Sequence, residues 1–437
     1  MRDIIIGGLT FYCIAICCSI VFPSVFAGVF LSPAEYYKYH EHKLKSSSSQ
    51  VLTGLYLLDD GSYPKGITIN RKEKVWGDYA FVVNDADNAP SLIDVDGKVV
   101  HKWDAEFFRK WGDITHIADP VSPQHIEGTR IFMDPEMNGD IYVGYYANSD
   151  AYLPYYGLLK LDKDSNVLWK HEDRTHHDAE FIGNDQMLVF VSYMVDGGHP
   201  NVPHIEEPMY HEYVVWLDTN TGEEIKRVDI AQAFANSKYS EVLHRLTARP
   251  TDTDLRPGDV FHPNGITKIP DHVIGKAPML KENSVILSIR NLDMLAILDL
   301  EKDIITWASL GPWRGQHSLK FMDNGNVIMF DNFGSVIEGG PSRILEVDLE
   351  TSEIVWEYTG TKDKPFFSKY SSMIDRLPNG NIFAVSTLEG RAFEVTRSKE
   401  IVWEYYVEAR FDTAVGSRIP NLTGEKKYKK EQLLFLD

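Results

Sequence analysis

A short pattern of apolar and polar residues recurs along the chain. In each copy, an alternating apolar segment ends near Asp, an acidic or polar turn follows, and a second short segment usually ends near Trp. Period-two alternation interrupted by Asp, Gly, Asn or Ser is typical of a β-hairpin, because these residues accept the φ angles of tight turns. The six copies are SLIDVDGKVVHKW (Ser91–Trp103), LLKLDKDSNVLWK (Leu158–Lys170), VVWLDTNTGEEIKRV (Val214–Val228), AILDLEKDIITW (Ala296–Trp307), ILEVDLETSEIVWEY (Ile344–Tyr358) and AFEVTRSKEIVWEY (Ala392–Tyr405).

The spacing of these hairpins predicts an all-β fold, a six-bladed β-propeller over residues 76–437. Propeller blades of four strands recur about every 40 to 50 residues, and the longer early units leave room for loop insertions. The third copy departs from the pattern because its Trp216 lies on the first strand. Helical periodicity is scarce, and Ile230–Leu246 is the clearest helix prediction. A β-sandwich is the alternative, although sandwiches do not repeat one hairpin at blade spacing.

The N-terminal segment predicts a membrane-inserted helix. No charged residue occurs from Ile4 to Leu31, and a spanning helix needs about 20 apolar residues. Residues 1–31 are therefore interpreted as a signal anchor or signal peptide, with cleavage after Ala27 left open. Residues 32–75 are polar and are interpreted as a tether. We expect the body to be exported to the periplasmic or extracytoplasmic side and anchored in the inner membrane.

Composition narrows the possible partners and chemistry. The formal net charge is −20 and no basic block is present, which argues against nucleic acid as a partner. The three cysteines are Cys13, Cys17 and Cys18, so the body offers no thiol for a disulfide, a thiolate metal ligand or a cysteine nucleophile.

Histidines recur at one position of the strand that precedes several hairpins. Aligned without gaps, HHDAEFIGNDQMLVF (176–190) and QHSLKFMDNGNVIMF (316–330) match His177 with His317. In FHPNGITKIP (261–270), His262 precedes a large apolar residue by the same offset of four positions. The first strand of each propeller blade lines the central channel, so we expect these three imidazoles to converge on the axis.

Arg290 lies at the far end of the adjoining strand and is expected to project toward the same ring. Three imidazoles and a guanidinium form a cationic pocket that suits a small oxyanion, because guanidinium binds oxyanions bidentately and imidazole can donate, accept or attack. Zinc is the competing ligand, with Asp178 close by, but a cation would repel Arg290. We therefore predict no metal and no cofactor.

On these residues the chain resembles the arylsulfate sulfotransferase family, six-bladed propellers that move a sulfuryl group between phenols without a nucleotide donor. The resemblance covers about residues 78–406. It is carried by the order and spacing of the motifs HHD (176–178), FHPNGI (261–266), SIRN (288–291), GQH (315–317), FDN (330–332) and LPNGN (377–381).

The resemblance implies that His317 is the nucleophile, transiently sulfurylated, and that His177, His262 and Arg290 hold the sulfuryl oxygens and help the phenolate leave. It leaves open which of His177 and His262 exchanges the proton. The residues assigned to substrate binding within these motifs are His176, Asn264, Asn291 and Asn332. The aromatic residues that could stack on the substrate ring are Trp313, Phe330 and Phe333.

The predicted function is thus that of an enzyme, an aryl sulfate sulfotransferase with a phenolic acceptor. Two alternatives from other classes remain: a non-catalytic exported propeller that binds a partner or glycan, and a quinone-cofactor dehydrogenase. The sequence leaves the physiological donor, the acceptor and the oligomeric state open.

Overall fold

Antiparallel strands are the main secondary structure of the protein. The structure, a computed structural model, describes residues 52–53, 56–85, 89–112, 126–147, 155–205, 208–247, 258–334, 342–360, 367–413 and 416–437. Six sheets follow one another along this part of the chain, and the innermost strand of each contacts the innermost strands of its two neighbours, so that the six close a ring. This is the predicted propeller.

The first three blades, with strands given from the axis outward, each have four strands. Blade 1 consists of Leu422–Tyr428, Tyr79–Asn84, Ser91–Asp94 and Val99–Lys102. Blade 2 consists of Ile126–Met133, Ile141–Ala147, Tyr155–Leu161 and Val167–His171. Blade 3 consists of Thr175–Gly183, Gln186–Val195, Met209–Asp218 and Glu224–Asp229.

The last three blades carry the remaining strands. Blade 4 consists of Pro263–Lys268, Ser284–Ile289, Met294–Asp299 and Ile304–Leu310. Blade 5 consists of His317–Phe321, Val327–Asp331, Arg343–Val347 and Ile354–Tyr358. Blade 6 consists of Met373–Arg376, Ile382–Ser386, Arg391–Val395, Ile401–Tyr406 and, as a fifth strand, Gly66–Asn70. Each of the six repeated hairpins thus forms the third and fourth strands of one blade, counted from the axis.

Tryptophans that end the repeats join neighbouring blades. The indole N–H of Trp103 donates to the Gly139 carbonyl of blade 2 at 2.9 Å, and that of Trp403 donates to the Val95 carbonyl of blade 1 at 3.0 Å. In the third repeat Lys226 pairs opposite Trp216 and donates instead to the Leu300 carbonyl of blade 4 at 3.2 Å. An ammonium group therefore takes over the donor role of the indole at this interface.

The prediction of a tether over residues 32–75 is wrong for the last part of this range, which contains a strand of the propeller. Gly66–Asn70 pairs with Ile401–Tyr406 at the outer edge of blade 6, so the propeller begins before residue 76. A small additional sheet joins this region to the C-terminal part through the strands Leu52–Thr53, Tyr56–Leu58, Gly416–Ile419 and Phe411–Thr413. The alternation in GITIN supplies an edge strand despite the polar composition around it.

The described helices are short. The α-helices are Phe107–Trp111 and Ile230–Ala235, and the 3-10 turns are Ser240–Arg245, Asp271–Val273, Arg290–Leu292, Lys430–Gln432 and Leu434–Leu436. The helix predicted over Ile230–Leu246 is divided in two, since the Ser237 hydroxyl donates to the Phe234 carbonyl and competes with the helical backbone bonds.

The predicted membrane segment lies outside the described residues. Within the described part of the chain, no helix has both the length and the apolar character needed to cross a bilayer.

The ring closes through a strand from the far end of the sequence. Leu422–Tyr428 pairs with Tyr79–Asn84 and becomes the innermost strand of blade 1. Its Lys427 ammonium donates to a carboxylate oxygen of Glu394 in blade 6 at 2.6 Å, and both side chains are fully buried. The closing strand is therefore fixed both to blade 1 and to blade 6.

Replacing Lys427 with Met is expected to lower the free energy of unfolding by about 3 kcal/mol, because it leaves the buried Glu394 carboxylate without its cation. Urea denaturation measures the change. The exposed Lys429 is the matched control, and Lys429→Met should change the free energy by no more than about 0.5 kcal/mol. Equal effects of the two substitutions would contradict a role of the buried pair in closure.

Candidate active site

The inner strands of blades 3, 4 and 5 are irregular where their histidines lie. The ladder register shifts between His176 and Ala179, between Pro263 and Gly265, and between His317 and Leu319. His177 and His262 adopt left-handed φ angles of 54° and 51°. Such conformations are costly for residues other than glycine and cluster at functional sites, and bulges change the direction of side chains.

The three predicted histidines do lie together. The Nε2 atoms of His177 and His262 are 3.1 Å apart and share a hydrogen bond, and the ring centres of His177 and His317 are 6.5 Å apart. Side chains from three blades thus meet at one place on the inner strands.

Arg290 is fixed to the same region by its backbone. Its N–H donates to the His262 carbonyl at 3.1 Å, which ties the end of the second strand of blade 4 to the first. The guanidinium is buried, donates to the side-chain oxygen of Asn291 at 3.0 Å and lies 5.6 Å from the ring centre of Phe333. These contacts limit the positions that the cation can adopt.

His317 is held in one tautomer. Its Nδ1 lies 2.7 Å from the side-chain oxygen of Asn332 and 3.0 Å from the Gly315 carbonyl, both of which are acceptors. The Asn332 amide cannot be reversed, because its nitrogen donates to the carbonyls of Ser368 and Ser371 at 2.7 and 2.9 Å. Nδ1 therefore carries the proton, and Nε2 carries the lone pair.

The electrostatic surroundings keep His317 neutral. Burial lowers its pKa well below the ordinary value of 6.5, and the positive charge of Arg290 lowers the pKa further, against the opposing effect of the Asn332 hydrogen bond. A neutral imidazole with its lone pair on Nε2 can attack an electrophile at mildly acidic pH.

His262 is paired with a buried carboxylate that the sequence analysis did not identify. Its Nδ1 donates to Asp259 at 2.6 Å. Burial alone would raise the pKa of Asp259, but the charges of His262 and Arg290 and the hydrogen bond from His262 outweigh burial and lower it. Asp259 therefore remains a carboxylate. Its position three residues before His262 was the signal available in the sequence.

A second buried carboxylate lies behind His177. The Nδ1 atoms of His176 and His177 are 2.8 Å apart and share a hydrogen bond, and the Nε2–H of His176 donates to Glu212 at 3.0 Å. His176 also stacks on Tyr155, with ring centres 4.8 Å apart. Glu212 lies on the third strand of blade 3, where no local sequence pattern indicates a role.

The four residues predicted to bind substrate each contact another site residue or its neighbour. His176 contacts His177, Asn291 contacts Arg290, and Asn332 contacts His317. Asn264 donates to the Gln316 carbonyl at 2.8 Å, next to His317. These contacts support a role in positioning the site. The side-chain oxygen of Asn264 is buried and makes no hydrogen bond within the described residues.

The three candidate aromatic residues have different environments. Trp313 and Phe330 are almost completely buried in two separate hydrophobic clusters, where they pack against core side chains. Phe333 is half-buried and lies beside the guanidinium groups of Arg290 and Arg314. Of the three, Phe333 is therefore the one that lies beside Arg290 and is not enclosed in a hydrophobic cluster.

Zinc was the alternative ligand considered for the three histidines. Within the described residues, the one group of three ligand-type side chains whose ligand atoms lie close together is His199, His211 and Asp229, and His211 directly precedes Glu212 in the chain. There, His199 accepts the Asn201 N–H on Nδ1 and donates from Nε2 to Asp229 at 2.8 Å. We assign no ion to that cluster, because both imidazole nitrogens of His199 are engaged. Asp178, the acid considered with the zinc, accepts the backbone N–H of Ile266 at 3.1 Å and that of Ala179 at 3.0 Å.

Solved structures with a similar fold are distant in sequence. A protein of unknown function from Bacteroides caccae is 11% identical with a TM-score of 0.45, and the alignment covers 76% of this chain and 94% of that one. The Cps50 (Swd1) β-propeller domain of Myceliophteria thermophila is 10% identical with a TM-score of 0.40, covering 82% and 88% of the two chains. These similarities are too weak to carry an argument, and the propeller rests on the strand pairing itself.

No curated protein matches the chain significantly in sequence. The family model described as Arylsulfotransferase (ASST) matches residues 148–409. This match spans well over half of the 437 residues and contains the three histidines, Arg290 and both buried carboxylates. The chain therefore belongs to the arylsulfotransferase family.

Proposed function

We propose that this protein transfers a sulfuryl group from an aryl sulfate ester to a phenol through a sulfohistidine at His317. The observation that carries the proposal is the state of His317, which is neutral and buried, with its Nδ1 proton held by Asn332 and Gly315. This arrangement leaves the Nε2 lone pair for attack on sulfur. Arg290 supplies donors for the sulfuryl oxygens, and His177 and His262 add theirs when the ester takes the place of the hydrogen bond between their Nε2 atoms.

In the first step, Nε2 of His317 attacks sulfur, the new N–S bond forms and the ester S–O bond breaks. The phenolate takes a proton from His177 or His262 and leaves as a phenol. The imidazole ring acquires positive charge as the N–S bond forms. The two acceptors on Nδ1–H stabilise this charge, and Arg290 balances the charge on the sulfuryl oxygens.

In the second step, an acceptor phenol occupies the position of the first. The histidine that donated the proton takes the proton of the acceptor hydroxyl, and the phenolate oxygen attacks sulfur. The N–S bond breaks and its electron pair returns to Nε2, which restores neutral His317. No metal or redox change is needed, because an aryl sulfate already carries a stable leaving group.

The test is a transfer assay combined with mass measurement. Incubation with 4-nitrophenyl sulfate should release nitrophenolate, and intact-protein mass spectrometry should detect one added sulfuryl group when no acceptor is present. Adding phenol should discharge the adduct and form phenyl sulfate. Absence of both the adduct and the product in properly folded protein would contradict the proposal.

The pH dependence of the first step is the next expected outcome. The single-turnover rate with 4-nitrophenyl sulfate should remain nearly constant from about pH 8 to about pH 6, because the pKa of His317 lies well below 6.5. An ordinary histidine would be half protonated near pH 6.5 and lose attacking power there. Stopped-flow absorbance of nitrophenolate measures the profile, and a decline centred near pH 6.5 would contradict a neutral buried nucleophile.

The depressed pKa also affects folding. Since folding lowers the pKa of His317, the unfolded chain binds more protons below pH 6.5, and the stability associated with neutral His317 is complete above that pH and lost as the pH falls.

The proposal includes export and membrane attachment through residues 1–31, which fractionation of cells producing the full chain would test. The non-catalytic scaffold and the quinone-dependent dehydrogenase gain no support from the family match.

A further inference from the structure

Five side chains form one continuous hydrogen-bonded line across blades 3 and 4. In order they are Glu212, His176, His177, His262 and Asp259, and the successive atom distances are 3.0, 2.8, 3.1 and 2.6 Å. We call this line the histidine chain. All six imidazole nitrogens take part in it, and a carboxylate lies at each end.

The number of protons in the histidine chain follows from its hydrogen bonds. Each of the four bonds contains one proton, and three neutral imidazoles carry only three. With both end carboxylates ionised, the fully bonded chain therefore holds one proton more than three neutral rings. Removing that proton leaves two imidazole lone pairs facing each other at one N···N contact, which is unfavourable in a buried site.

We propose that the histidine chain is a proton reservoir for sulfuryl transfer, and that His176 and Glu212 are positioning residues that stabilise its extra proton. This inference rests on the proposed function. Neither residue touches the reacting atoms, and both act through His177 and His262. Glu212 provides the negative charge at one end, as Asp259 does at the other.

The histidine chain ends one catalytic cycle with the same number of protons that it had at the start. When the ester S–O bond breaks, the extra proton passes from the chain to the phenolate oxygen, and the chain is left with three protons. When the acceptor phenol enters, its hydroxyl proton refills the chain while its oxygen attacks the sulfuryl group on His317. The three-proton chain is a base because protonation restores the missing hydrogen bond.

Charged and titratable groups face the histidine chain from several elements. Arg290 of blade 4 acts on Asp259, and His317 of blade 5 lies beside His177. Tyr155 of blade 2 stacks on His176, and His211 and Tyr213 of blade 3 lie close to Glu212. The test compares substrates at a single pH, so titration of these neighbours does not change its outcome.

The experiment measures how the Glu212→Gln enzyme responds to the leaving group. Gln keeps the size and the acceptor oxygen of Glu but removes the negative charge. Phenyl sulfate releases a weakly acidic phenol that needs a proton, whereas 4-nitrophenyl sulfate releases a stable phenolate. We expect kcat/KM to fall at least about 10-fold for phenyl sulfate and less than about 3-fold for 4-nitrophenyl sulfate. The exposed Glu241→Gln is the control and should leave both values unchanged.

His176→Phe provides an independent variant, because Phe can retain the stack between Tyr155 and Phe190 while breaking the chain. It should produce the same selective loss, and the double variant should be no worse than the more affected single variant, since both changes interrupt one unit. Thermal unfolding verifies that each variant is folded.

Equal losses for both donors in Glu212→Gln, or additive losses in the double variant, would overturn the proton reservoir while leaving the sulfohistidine proposal intact. Wild-type protein that forms no sulfuryl adduct would instead overturn the proposed function itself.

Discussion

Replacing His317 with Ala is expected to abolish both the sulfuryl adduct and product formation, with a loss of at least about 10³-fold in kcat. The substitution removes the atom that forms the covalent bond. It leaves Arg290 and the other two histidines to bind the sulfate ester, so the dissociation constant for donor should change far less than the rate. Intact-protein mass spectrometry and nitrophenolate release measure the two effects.

A matched control is His272→Ala, because His272 is exposed and paired with Asp323 away from the site. It should retain the adduct and full activity. Imidazole added to His317→Ala should partly restore nitrophenolate release by occupying the vacated space, without restoring the adduct on the protein. A sulfuryl adduct on His317→Ala would show that another residue is the nucleophile.

Exchanging Arg290 for Lys is expected to lower kcat/KM by about 10²-fold. A planar guanidinium can contact two sulfuryl oxygens at once, and here it is oriented by Asn291 and by the face of Phe333. An ammonium group at the same position keeps the charge, but it lacks the two parallel N–H donors and the planar face of a guanidinium. The loss should appear mainly in kcat, because negative charge on the sulfuryl group must be stabilised as the phenolate leaves.

The matched control for this substitution is Arg314→Lys. Arg314 also lies over Phe333, 6.0 Å from the ring centre, but its partner is Asp293 and it is partly exposed. We expect less than about a twofold change in kcat/KM, as for a surface ion pair. Similar losses in both variants would mean that Phe333, not the guanidinium fork, determines the effect.

The strands of the blades were predictable from the sequence where both partners of a hairpin lie close together in the chain. Each repeated hairpin contains its own turn residues and its own alternation, and the Trp that ends the first and the sixth repeat donates a hydrogen bond to the next blade. The innermost strand of blade 1 was not predicted, because Leu422–Tyr428 has no hairpin partner nearby in sequence and pairs with Tyr79–Asn84. Gly66–Asn70 was missed for the same reason.

The site residues were predictable where their position within the repeated blade determines where they lie around the axis. Alignment of the inner strands identified the three histidines that lie together, and the adjoining strand identified Arg290. Alignment could not distinguish a histidine that meets those of the other blades from one that contacts a residue of its own blade. The bulge between His176 and Ala179 takes His177 out of the ladder, whereas His176 stays paired with Phe190. Glu212 comes close to His176 only in the folded sheet, because it lies on another strand.

The closing strand of blade 1 has a consequence for biosynthesis. The ribosome must release Leu422–Tyr428 before Tyr79–Asn84, made far earlier, can receive its partner. Until then the nascent chain exposes an unsatisfied strand edge, which is a template for pairing with another molecule. A premature stop codon before Leu422 is therefore expected to yield aggregating protein rather than a shortened enzyme, even though every residue of the site would have been translated.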